Sequence, residues 1–178
     1  MLNKKYLQIV FIVLLCTALG GCGGYAKTKF ALYRTEVYFS PDGHTQDRII
    51  KAIDASNSTI DLAIYSLTAQ EIKSAFERAK QRGVKIRIIA DSIQAKGKQS
   101  VVQALIDEGF NVKIAHGKGR GIMHNKFAIF DSKLLFTGSY NWTTNAENSN
   151  YENAVFISDP EIITQYQKEF DKIFALTP

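Results

Sequence analysis

The sequence predicts an α/β fold in which a mixed β-sheet is sandwiched by helices. Three observations carry that prediction. First, Thr59 to Leu67, a helical stripe of Ile72, Ala75, Phe76 and Ala79, and the apolar run Val84 to Ala90 form a β-α-β unit, whose two strands run parallel. Second, the alternation in Thr59 to Leu67 is partly lost, as in a strand covered on both faces. Third, strands around Met123 to Asp131, Lys133 to Thr137 and Asn153 to Ser158 follow one another ahead of a last amphipathic helix.

In chain order, residues 1–22 read as a leader. Lys4 and Lys5 precede an apolar run from Tyr6 to Leu19, the basic and hydrophobic regions of a secretory signal. The run falls short of the ~20 apolar residues that span a bilayer comfortably. It ends at Leu19-Gly20-Gly21-Cys22, which resembles a bacterial lipoprotein cleavage box with Cys22 as the lipidated residue. Gly20 is a less usual residue at its place, so processing at a neighbouring small residue and an uncleaved anchor stand as alternatives. The chain is therefore expected to be exported, periplasmic or at the cell surface, as a membrane-anchored lipoprotein. Its two cysteines are Cys16 and Cys22, so the domain that follows has no internal disulfide.

Residues 23–35 read as a tether and residues 36–178 as one catalytic domain, long enough for a proper core. Glu36 to Phe39 is a short strand closed by Pro41-Asp42-Gly43, and Ile49, Ile50 and Ile53 fit one face of a helix running to about Ala55. Thr68-Ala69-Gln70-Glu71 has the pattern of a capping box opening the next helix, which Gly83 ends. A helix from about Ser100 to Glu108 and a strand from Asn111 to Ala115 follow. Asp159 and Pro160 supply N-cap and first turn of the last helix, with Ile162, Ile163, Tyr166, Phe170, Ile173 and Phe174 facing the core. No internal repeat is visible.

The chemistry concentrates in Met123 to Asn141. On a strand of period two, His124 and Lys126 point the same way. An imidazole acts as nucleophile or as general acid or base near neutral pH, and an ammonium beside it holds an anionic substrate, which suggests phosphate chemistry. Ser139 and Asn141, also two apart, offer a hydroxyl and an amide to the same oxyanion, and Gly138 before them permits close backbone approach. A lone histidine is ordinarily structural; His124 with Lys126, Ser139 and Asn141 at fixed spacing is not ordinary. Asp131 falls on the opposite parity beside Ser132, which suits a supporting hydrogen bond or ion pair.

These residues resemble the signature of the phospholipase D superfamily: His-x-Lys, four residues, Asp, six residues, Gly-Ser-x-Asn. His124, Lys126, Asp131, Gly138, Ser139 and Asn141 meet every position, and the similarity extends from about Val37 to the C-terminus. It points to the small bacterial endonucleases that carry a single signature. The resemblance implies the superfamily's α/β fold and a metal-independent phosphodiesterase working through a phosphohistidine. It also implies that Glu152 orients His124, and that a chain with one signature forms a homodimer with a shared active site, the second histidine coming from the partner. No cofactor is implied, and the three histidines lie in no metal-ligand pattern.

The substrate expected from this reading is nucleic acid, DNA or RNA, cut without strong sequence preference. A formal charge of +5, lowered to +3 without Lys4 and Lys5, suits a polyanion. Lys118 and Arg120, on the glycine-rich stretch leading into the signature, are candidate substrate contacts or simply solvated charges. Two rivals stand beside it. One is a phospholipase D or phosphatidyl transferase acting on membrane lipid headgroups; the other is a nucleic-acid capture module that does not cut. Tyr140 and Trp142 are read as core or rim packing, and Lys80, Arg82, Lys85 and Arg87 as surface charge.

Overall fold

The computed structural model describes residues 33–178, and the expected leader, Cys22 and most of the tether lie outside them. Seven strands form one sheet in the order β1-β7-β6-β5-β2-β3-β4. They are β1 (Thr35–Ser40), β2 (Thr59–Ile64), β3 (Lys85–Asp91), β4 (Asn111–Ala115), β5 (Lys126–Phe130), β6 (Leu134–Gly138) and β7 (Glu152–Ile157). The helices are α1 (Thr45–Ala55), α2 (Gln70–Gln81), α3 (Val102–Asp107), α4 (Thr144–Asn148) and α5 (Pro160–Leu176). β2, β3 and β4 are parallel and the remaining pairings antiparallel, so the sheet is mixed, as the sequence predicts.

Each face of the sheet carries its own core. Ile60, Leu62 and Ile64 of β2 pack with Ile49 and Ile53 of α1 and with Ile72 and Phe76 of α2, while Ala63 joins Phe127, Ile129, Ile163 and Phe170 beneath α5. Five of the six residues of β2 are buried, because helices lie on both sides. Asp159 caps α5 by accepting from the Glu161 and Ile162 amides, with Pro160 in the first turn.

Two local expectations are corrected. α2 begins at Gln70 with no side-chain cap, so the Thr68 capping box does not form. The Thr68 and Ala69 amides donate instead to the Trp142 carbonyl at 3.0 and 3.2 Å, a tertiary contact that does the work of the cap. Arg87 is no ordinary surface charge: it makes a bidentate bond to Asp61, 5% exposed, at 2.7 Å through each nitrogen, reaches Asp171 at 2.8 Å and lies over the Phe170 ring. This group fastens α5 to the sheet. Arg82, likewise, bonds the Ile53 and Ser56 carbonyls.

Candidate active site

The register brings the expected residues to one edge of the sheet. Ile64 pairs with Lys126, Phe127 with Thr137, Gly138 with Ala154 and Ser40 with Glu152. The C-terminal ends of β2 and β6 and the N-terminal ends of β5 and β7 therefore share that edge. His124, Lys126, Ser139, Asn141 and Glu152 all belong to it.

His124 is exposed, two residues ahead of β5. Its position is fixed from behind. The preceding Met123 is 4% exposed, and its amide donates at 3.1 Å to Asp91, a fully buried carboxylate at the end of β3 that also accepts from the Ile93 and Gln94 amides. The imidazole meets Tyr65 edge to face, with ring centroids 4.5 Å apart and planes at 63°.

Lys126 is 8% exposed, and its ammonium donates to the His124 carbonyl at 2.9 Å and lies 4.9 Å from the Tyr65 ring centroid. Tyr65 thus touches both site residues, and its hydroxyl is held by the Gln94 amide at 3.1 Å. Burial lowers the Lys126 pKa, against which the charge of Glu152 acts weakly. Such a cation gains from an incoming anion, because the anion supplies the partner that burial withholds.

Ser139 and Asn141 are held by different neighbours. The Ser139 hydroxyl donates to Glu152 at 2.5 Å and accepts from the Asn153 amide at 3.1 Å; the Asn141 carbonyl oxygen accepts from the Ser66 amide at 3.3 Å. Gly138 has to be glycine here, because a Cβ would overlap the Asn153 carbonyl.

Glu152 and Asp131, both counted with the signature, bond groups other than His124. Glu152 was expected to orient His124, but its carboxylate bonds Ser139 and the Asn150 amide. Strand β6 lies between β5 and β7, which puts β7 roughly 10 Å from β5, two strand spacings away. Asp131, counted with the site residues by the signature, sits at the opposite end of β5, about 17 Å away by strand rise. There it accepts from the Asn57, Ser58 and Thr59 amides and the Ser58 hydroxyl at 2.8 to 2.9 Å, closing the entry to β2. Burial pushes this carboxyl up, but those four donors together outweigh it and hold its pKa below the ordinary value.

Lys118 and Arg120 are exposed on a hairpin whose ends meet at His116 and Ile122, immediately before Met123 and His124. Tyr140 and Trp142 are fully buried, as expected. The Tyr140 hydroxyl donates to Glu147 at 2.6 Å, and Trp142 stacks on Phe76. Tyr65, Asp91 and Gln94 are site residues that the sequence reading missed. The available signal was position: Tyr65 and Asp91 directly follow or end apolar parallel strands, where α/β sheets carry their ligands. Tyr65, Ser66, Gln94 and Asn141 also line an open groove of about 960 Å³.

Residues 49–174 match the family model described as cardiolipin synthase, PLD-like domain. A mitochondrial cardiolipin hydrolase of Chlamydomonas reinhardtii is 34% identical over 129 residues, covering 72% of this chain and 57% of that protein. The chain thus spans little more than half the length of this curated relative. Two solved structures match at 29% identity: NucT from Helicobacter pylori, with a TM-score of 0.74 over 82% of this chain and 98% of that one, and the phospholipase D family member Nuc from Salmonella typhimurium, with 0.76 over 83% and 97%.

Proposed function

Because the chain belongs to the phospholipase D superfamily, we propose that it is a phosphodiesterase that uses His124 as nucleophile and acts as an endonuclease on DNA or RNA. The observation that carries this reading is the exposed imidazole of His124, set against Tyr65 on a backbone anchored at Met123, beside the shielded ammonium of Lys126. A ring nitrogen of His124 attacks phosphorus, forming an N–P bond as the bond to the leaving oxygen breaks. That oxygen takes a proton from a second imidazole. Water then attacks phosphorus, gives its proton to the second imidazole, and breaks the N–P bond. Lys126, Ser139 and Asn141 hold the phosphoryl oxygens through both steps, and Glu152 fixes the Ser139 hydroxyl.

The second imidazole is His124 of the partner subunit in a two-fold dimer. An apolar patch near the site suits that contact: Val37 is 54% exposed, Phe39 64% and Tyr151 95%, and Tyr151 adjoins Glu152. Val37 and Phe39 share one face of edge strand β1. The leader and Cys22, as read from the sequence, would tether this dimer to a membrane outside the cytoplasm.

Two observations favour a polymer substrate. The structural match covers nearly all of NucT and Nuc, and amide and hydroxyl side chains predominate among the residues lining the groove beside the site. The lipid reading has its own support in the mitochondrial cardiolipin hydrolase relative. Digestion of single- and double-stranded DNA, RNA and cardiolipin vesicles in EDTA, with His124→Ala beside the unaltered chain, decides between them. Polymer cutting that needs His124 supports the nuclease; phosphatidate release without polymer cutting moves the assignment to a lipid phosphodiesterase; DNA retention without cutting of any substrate indicates a capture module.

A further inference from the structure

The groove that opens beside Asn141 has a chemistry of its own. Six amide side chains line it, Gln70, Gln94, Gln99, Asn141, Asn145 and Asn150, together with hydroxyls such as those of Ser100 and Thr144. Lys98 is its single charged residue, Tyr65 its single aromatic one, and no Val, Leu, Ile, Met or Phe contributes to the lining. Gln70, Lys98, Gln99, Thr144 and Asn145 are exposed, whereas Gln94 and Asn141 are tied to the site through Tyr65 and Ser66.

Each class of ligand makes different demands on such a surface. Acyl chains need continuous apolar walls, whereas here amides and hydroxyls interrupt the lining and Tyr65 is its one aromatic ring. A phosphate backbone needs several cations, and the groove offers one. Nucleobase edges present hydrogen-bond donors and acceptors side by side, and a carboxamide matches them with its own paired donor and acceptor. The size agrees: at about 960 Å³ the groove lies at the upper end of the roughly 300–1,000 Å³ range of ligand clefts, large for one glycerol headgroup.

We propose that this amide-lined groove is a nucleobase subsite, taking the unpaired bases next to the phosphate held at His124 and Lys126. The proposal rests on the phosphodiesterase reading above and adds what that site recognises. Phosphates are held by Lys126, Ser139, Asn141 and the Lys118–Arg120 hairpin, and bases by the other Gln and Asn side chains of the groove. Paired bases have their Watson–Crick edges occupied, so the groove favours single strands.

The test compares a single-stranded oligonucleotide with the same backbone carrying abasic sites throughout, using the full chain and its Gln99→Ala and Asn145→Ala variants. Hydrolysis of bis(4-nitrophenyl) phosphate, which is too small to fill the groove, reports on folding and the reacting centre. The expected result is a KM about tenfold higher for the abasic strand, the scale of one amide–base pairing, with that difference shrinking in the variants. Loss on the normal oligonucleotide should far exceed any loss on the small diester. Equal KM for both strands, or an undiminished difference in both variants, overturns the subsite while leaving the nuclease intact. Turnover of the small diester or of cardiolipin with no cutting of either strand overturns the nuclease reading and the subsite with it.

Discussion

Among single residues, the signature divides into groups that face the substrate and one, Asp131, that holds the fold. Lys126 is buried beside a single carbonyl and an aromatic ring, an arrangement that suits phosphate better than it suits stability. Lys126→Met should therefore abolish turnover with the melting temperature unchanged or raised, read by calorimetry beside an activity assay. Tyr65 acts as a positioning residue: Tyr65→Leu should lower kcat about tenfold or more with little change in KM, and Tyr65→Phe, which keeps the ring, should recover most of it. Asp131 behaves in the opposite way. Its lowered pKa contributes stability that is fully present above the unfolded carboxyl pKa of about 3.9 and is lost as pH falls through the folded value. Asp131→Asn should lower stability at neutral pH and flatten its decline in acid, while the folded variant keeps its chemical step.

At the scale of elements, what was legible in the sequence was whatever local pattern determines. The β-α-β unit, the mixed sheet and the α5 stripe of Ile163 and Phe170 follow from periodicity and hold in the structure. The start of α2 does not, because a carbonyl from Trp142, distant in sequence, replaces the local cap. For the same reason the site was only partly legible. Spacing shows that His124 and Lys126 are neighbours, but the partner of Glu152 depends on β6 lying between β5 and β7, and Tyr65 and Asp91 enter through the pairing of β2 with β5 and β3. Short-range parity did place Asp131 away from the imidazole. β6 and β7 approach closely at Gly138. Gly138→Ala should cost about 1–3 kcal/mol, measured by urea unfolding, and disturb Ser139, because the Asn153 carbonyl has to move.

At the scale of the whole molecule, the proposal requires two chains, since one chain brings a single signature histidine to the edge of its sheet. Mixing wild-type and His124→Ala chains equally, with subunit exchange, should leave about a quarter of the activity if each site needs both histidines, and about half if each chain works alone. Val37→Asp with Phe39→Asp should shift sedimentation to monomer and remove activity together. Covalent chemistry at His124 can be read by mass spectrometry of the enzyme quenched during turnover of a DNA substrate in EDTA. An acid-labile phosphoryl adduct is expected on the peptide carrying His124, and none in His124→Ala. Full turnover with no adduct on His124, or an adduct on another residue, would rule out His124 as the nucleophile.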